Sequence, residues 1–302
     1  MKYLLLIAFA LFLISCGSSK RTILEKPEVK NTEQVYQEPE VPEIKRTHRP
    51  KDSEYKLVKE DTVVEKVEEV VEKIEEKKEE ISTPESLHKT NGLHDTWQTL
   101  LSKYVSESGN VNYRGFASDT SFSGYLKALS ENPPQDNWSR EDQLAYWVNA
   151  YNAYTIKLIN DNYPVESIKD IKGPWDHRFI RIGPKWYTLN DVEHKILRKM
   201  DEPRIHFAIN CASISCPKLL NAAFLPETLE TQLTEVTKDF LSDASRNNIT
   251  ENNIQISKIF RWFGKDFKKN GSLIDFLNQY AEVNISDKAK VSFKDYDWNL
   301  NE

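Results

Sequence analysis

The sequence predicts an α+β fold: several helices around a small, mostly antiparallel sheet, with one buried central helix. Three observations carry that expectation. Residues 143–156 form a helical stretch that is apolar almost all round, the mark of a helix buried on every side. Residues 178–187 read as two short strands about a Gly183-Pro184 turn. Strand-length apolar runs follow near 204–211, 253–256 and 289–293, with helical spacing between them. All seven tryptophans of the 302 residues, and nearly all Tyr and Phe, lie beyond residue 92, so only 93–302 can fill a core. Roughly 210 residues is the size of one sizeable domain.

The chain before that domain falls into three parts. Lys2 and the apolar run Leu4 to Ile14 have the makeup of a secretory signal peptide, and the run is short for a membrane span. Its ending, Leu13-Ile14-Ser15-Cys16, resembles a bacterial lipoprotein signal. That resemblance implies removal of residues 1–15, acylation of Cys16 (a palmitate-type anchor on the new N-terminus), and attachment to the cell envelope. Three acyl chains exceed the two signals needed for stable anchoring. Gly17 in place of Asp points to the outer membrane, facing the periplasm. Residues 16–59 are polar and dotted with proline, as expected of a disordered tether. Residues 60–82 place Val63, Val67, Val70, Ile74 and Ile81 mostly three or four apart, an amphipathic helical spacer or short coiled-coil stalk.

Within the domain, Leu93 to Tyr104 has helical spacing, 110–113 a short extended piece, and 121–131 a further helix stopped by Pro133-Pro134. Ser139 caps the longest helix, with Glu141 and Asp142 in the first turn where the dipole favours them. Asn149 and Asn152 sit inside it at i and i+3, and buried amides require partners, so they either tie down loops or line a pocket. Asn190 to Glu193 has capping-box spacing and opens a helix that carries His194 to about Lys199. A central strand is expected from about Arg204, then a helix over 226–241, a strand at 253–256, an aromatic cluster around Phe260, Trp262, Phe263 and Phe267, a helix at 271–281 and a strand at 289–293 before Tyr296 and Trp298.

Four motifs stand in order: Gln143–Ala153, Leu189–Arg198, the Pro203-Arg204-Ile205 entry into His206–Leu219, and Phe260–Phe267. Together they resemble the family called domain of unknown function 547. The resemblance covers about 140–270 and implies a domain type without a mechanism.

The chemistry concentrates at His206-Phe207-Ala208-Ile209-Asn210-Cys211-Ala212-Ser213-Ile214-Ser215-Cys216-Pro217. With Cys16 acylated, Cys211 and Cys216 form an even pair in an oxidising compartment, which suits a disulfide closing a tight loop. The same pair suits thiol catalysis if an imidazole or a helix N-terminus lowers one thiol. On a regular strand His206 and Cys211 face opposite sides, so His194 or His177 is the better base, with Asn149, Asn152 or Asn210 orienting it. A zinc site from His194, His206, Cys211 and Cys216 has suitable ligands but no standard spacing, so no metal or cofactor is expected. His48, His88 and His94 are expected to be solvated, in or beside the tether. The formal charge of −6 and the lack of a basic stripe among aromatics argue against nucleic acid. No GxSxG, HExxH, P-loop or GxGxxG pattern occurs. Two classes remain: a thiol-dependent hydrolase or transferase on an envelope peptide or amide, or a non-catalytic binding module that meets an envelope protein partner and whose cysteines staple a loop.

Overall fold

A computed structural model describes residues 92–302. The signal, the Cys16 acylation site, the tether, the spacer, His48 and His88 lie outside the described residues. No helix among the described residues is long and apolar enough to cross a membrane.

Helix α4 (Arg140–Asn162) is the axis of the domain. At 1.5 Å per residue its 23 residues run about 34 Å. Ser139 caps it as expected, accepting the Asp142 N–H, with Glu141 and Asp142 in the first turn. Leu144 through Ile156 are all buried, so other elements cover α4 on every side. Helices α1 (Asp95–Tyr104), α2 (Tyr113–Ser118) and α3 (Thr120–Glu131) join its core through Trp97, Phe116, Phe122 and Tyr125, which stack on one another. The hairpin β1 (Ile180–Ile182) and β2 (Lys185–Tyr187) pairs Ile180 with Tyr187, and Gly183 supplies the positive φ of +55° at its turn. Tyr154 of α4 donates its hydroxyl to the Arg181 carbonyl, which pins the hairpin to the helix.

The sheet is α+β in class as predicted but divided. Apart from that hairpin, β3 (Asn248–Ile249) pairs antiparallel with β4 (Asn253–Ile256), and β4 pairs parallel with β5 (Lys290–Phe293).

The expected central strand is absent. Ile205–Ala208 is instead the short helix α5, buried throughout, and the chain becomes extended only at Ile209. A short apolar run is compatible with either a buried strand or a buried helical turn, and Pro203 just upstream suits a helix start. Strand alternation therefore does not set the directions of His206 and Cys211.

The remaining elements are α6 (Leu229–Ser242), α7 (Ile259–Trp262), α8 (Gly264–Phe267) and α9 (Leu273–Asn278). They close a second aromatic cluster in which Phe207 packs on Phe240, Phe260, Phe267 and Phe276. Finally, Asp295–Glu302 runs back as a strap. Its backbone bonds Ser215, Ile214, Glu166 and Val111 in turn, tying the cysteine loop to the start of the domain.

Candidate functional site

Asn210 sets up the cysteine loop. Its Oδ1 accepts the Ala212 N–H at 2.7 Å and its Nδ2 donates to the Pro217 carbonyl at 2.8 Å. Between them Ala212 takes φ +59°, a left-handed conformation that costs an alanine roughly 1 kcal/mol. That reversal brings Cys216 Sγ under the Cys211 N–H, which donates to it at 2.9 Å. Both thiols are free, so the disulfide suggested by the even count is not formed in this structure.

The two sulfurs are not equivalent. Cys211 Sγ lies 3.2 Å from Ser213 Oγ and 3.3 Å from Tyr296 Oη, and Ser213 donates to Tyr296 at 3.1 Å. Burial opposes ionisation of Cys216, but hydrogen bonds from the Cys211 thiol, Tyr296, the Cys211 amide and Ser213 outweigh it and hold Cys216 below the usual thiol range. The bond to Cys216, with burial, pushes the Cys211 thiol up. Burial also holds the Tyr296 hydroxyl well above its ordinary range, so it stays protonated and available as a donor. The Cys211 N–H on Cys216 Sγ thus favours Cys216 over Cys211 as the thiolate of the pair.

Cys211 and Cys216 open on a cleft of about 240 Å³. Trp175, Trp262, Phe263, Tyr296 and Trp298 form its aromatic walls, and Tyr151, Glu193, His194 and His206 its polar ones. Glu193 reaches the cleft because the turn that bears it, Asp191–Ile196, is π-helical. The reciprocal cap expected from Asn190 and Glu193 lies two residues earlier: Asp191 N–H donates to Thr188 Oγ1 and Thr188 N–H to Asp191 Oδ2. Released from capping, Glu193 is 7% exposed and accepts the Tyr151 hydroxyl on Oε2 at 3.2 Å. Burial raises its carboxyl to about 7, with the Tyr151 hydrogen bond and Arg198 opposing the shift.

The histidines reach the same cleft but are engaged elsewhere. His206 Nε2 pairs with Asp266 Oδ2 at 2.8 Å and its ring stacks on Phe263 at 4.0 Å. Arg198 grips the same carboxylate at 2.6 and 2.9 Å and places Nη1 3.1 Å from His194 Nδ1. Burial lowers both imidazoles, Asp266 opposing it at His206, while bonds from His206 and Arg198 hold Asp266 far below the carboxylate range despite its burial. Neither imidazole hydrogen-bonds a sulfur; the groups that do are Tyr296, Ser213 and the Cys211 amide.

Asn149 and Asn152 do not line the cleft. Asn149 pairs both ways with the Phe224 backbone at 2.7 and 3.0 Å. Asn152 donates to the Ala208 carbonyl at 2.9 Å and accepts the Asn210 N–H at 2.8 Å. His177 stands in the hairpin approach against Phe179. His94 is not solvated: it is buried, with Nδ1 2.8 Å from Tyr125 Oη. Among the described residues no three His, Cys, Asp or Glu side chains converge to hold a metal ion.

Tyr151, Glu193, Asp266 and Tyr296 join the site without a catalytic motif in the sequence that marks them. Capping-box spacing assigns Glu193 to a cap, and Asp266 sits in the four-residue helix α8, too short for periodicity to place. The one available signal was the Tyr296–Trp298 pair in a polar tail, where aromatics need a surface to cover.

Residues 135–241 match a family described as "Protein of unknown function, DUF547". The match contains α4, the π-helical turn and the cysteine loop, and it ends before Phe260–Phe267, the fourth motif of the resemblance. No curated protein and no solved structure matches the chain.

Proposed function

We propose that this chain, with its DUF547 domain at 135–241, is a thiol-dependent acyl hydrolase or transferase that uses Cys216 as nucleophile. The observation that carries the reading is the Cys211 N–H on Cys216 Sγ inside the aromatic cleft. That backbone donor favours the thiolate, the reactive form of the group, and a protonated tyrosine stands beside the pair on Cys211 Sγ.

The step balances as follows. Cys216 Sγ attacks the carbonyl carbon of an ester or amide and forms a C–S bond. The C–O or C–N bond breaks, and the leaving group takes its proton from water. The hydroxide so formed, or an acceptor amine that it deprotonates, then cleaves the thioester and releases Cys216 as the thiolate. The two imidazoles, held by Asp266 and Arg198, position the wall that carries Glu193 rather than touching the sulfur.

The signal sequence supports a site of action. Acylation of Cys16 fixes the domain to the envelope, facing the periplasm, where peptides and amides are the available acyl donors. Detergent-phase partition of the full chain that disappears with Cys16→Ser tests that part.

The chemistry is tested with p-nitrophenyl acetate. The full chain should release nitrophenolate in a burst and carry an acetyl group on Cys216 by peptide mass mapping. Cys216→Ser should abolish the burst while Cys211→Ser slows it. A label confined to Cys211, or a burst surviving Cys216→Ser, overturns the assignment and leaves a binding cleft without acyl-transfer chemistry.

A further inference from the structure

We propose that the cleft selects substrates bearing a primary alkylammonium group, of the size of a lysine or other diamino-acid side chain, which Glu193 and the ring of Trp175, Trp262, Phe263 and Trp298 receive. The inference rests on the acyl-transfer reading for what happens to the substrate, but the binding itself needs no sulfur.

Charge is the first argument. Glu193 Oε2 has the Tyr151 hydroxyl, whereas Oε1 has no hydrogen bond among the described residues, His194 Nδ1 standing 3.9 Å away. Lys195 is paired with Asp191 at 2.7 Å, Arg198 is committed to Asp266 by two bonds, and His206 to the same carboxylate. His194 is held toward its neutral form by burial and by Arg198. The cleft thus offers a buried carboxylate with a vacant acceptor position. An incoming ammonium supplies the missing donor and compensates that charge.

The walls are the second argument. Indole faces attract cations, and rings of this cleft already do so within the chain: Lys169 Nζ stands 5.0 Å from the Trp298 ring centroid and the Arg198 guanidinium 5.3 Å from Phe263. Trp262 packs on Tyr296 and Trp298 at 4.8 and 5.7 Å and is still 46% exposed, so it stands at the mouth. Size is the third. About 240 Å³ lies below the roughly 300–1,000 Å³ of sites for drug-sized ligands, which suits one side chain rather than a fused ring system.

The test is calorimetric titration of the full chain with n-pentylammonium and with its neutral isostere 1-pentanol, at about pH 8 where Glu193 is ionised. The ammonium should bind about tenfold tighter than the alcohol. Glu193→Gln should bring that ratio to near one. Trp262→Leu, at an exposed position that folding tolerates, should weaken the ammonium about threefold and leave the alcohol unchanged. Equal binding of the two probes to the native protein, no binding of either, or a ratio unmoved in both variants overturns the proposal. Cys216→Ser should keep the ratio, so a failure of the nucleophile assignment and a failure of cation selection are read separately.

Discussion

A backbone N–H cannot be titrated away, and that decides which of two neighbouring sulfurs holds the charge. The Cys211 amide points at Cys216 Sγ whatever the pH, while Tyr296 stays protonated with its hydroxyl 3.3 Å from the neighbouring Cys211 Sγ. Alkylation by iodoacetamide, followed by peptide mapping, should therefore modify Cys216 before Cys211, with a midpoint below the ~8.5 of a free cysteine. Tyr296→Phe removes a hydroxyl from the thiol pair, worth roughly 1.5 kcal/mol where it favours the thiolate, so alkylation of Cys216 near neutrality should slow by up to about tenfold and its midpoint should rise. A midpoint unmoved by Tyr296→Phe would exclude the tyrosine as a thiolate partner. At this scale the sequence shows the right atoms with the wrong partners. Two cysteines five apart beside a histidine mark the place, but the imidazoles turn to Asp266 and Arg198, more than fifty residues on from His206 in the first case and one helical turn from His194 in the second. A left-handed alanine also has no signature in composition: Ala212 takes φ +59° because Asn210 Oδ1 holds its N–H there.

At the scale of elements, α4 works as a frame through its two amides. Asn149 clamps the Phe224 backbone and Asn152 clamps the Ala208–Asn210 segment that leads into the cysteine loop. Replacing either by Ala leaves a buried N–H and C=O without the side chain that pairs them, a loss of about 2–4 kcal/mol that urea midpoints would measure. The two variants should differ in chemistry. Asn152→Ala loosens the Cys211 amide and should raise the alkylation midpoint of Cys216, whereas Asn149→Ala should leave it where it is; identical midpoints would mean that the loop is held by the strap alone. Helical periodicity made α1, α3, α4 and α6 legible, because long apolar spacing has few alternative readings. It failed at Ile205–Ala208, where four apolar residues satisfy a helical turn as well as a strand, and at Asp191–Ile196, where the cap moved to Thr188 and the turn widened. Both failures lie beside the cleft, where local rules yield to the demands of the site.

At the scale of the molecule, two buried titratable groups impose opposite pH dependences on stability. His94 is buried with Nε2 unpartnered among the described residues, and burial lowers its imidazole from 6.5 to about 4. The unfolded chain then binds a proton that the folded chain refuses, so stability is present above pH 6.5 and is lost as pH falls from 6.5 toward 4, by roughly 3 kcal/mol. Glu193 behaves in reverse. Its folded carboxyl sits at about 7 against 4.5 unfolded, so stability is present below 4.5 and is lost as pH rises from 4.5 to 7, again by roughly 3 kcal/mol. Between 4.5 and 6.5 the two slopes cancel, and these two groups together give a plateau there with a decline on either side. Single variants separate them. The stability of Glu193→Gln relative to the native chain should grow by about 3 kcal/mol between about pH 4 and pH 8, since only the native chain must ionise a buried carboxylate. His94→Gln, which can still meet the Tyr125 hydroxyl, should gain on the native chain as pH falls below 6.5. Urea unfolding across that pH series would show it, and native and variant curves that stay parallel would mean that neither group carries its burial into the stability of the fold. The alkaline decline also follows from the cleft's chemistry: a carboxylate held ready for an incoming cation lacks one until the ligand arrives, and n-pentylammonium should restore above pH 7 what the ionisation of Glu193 removes.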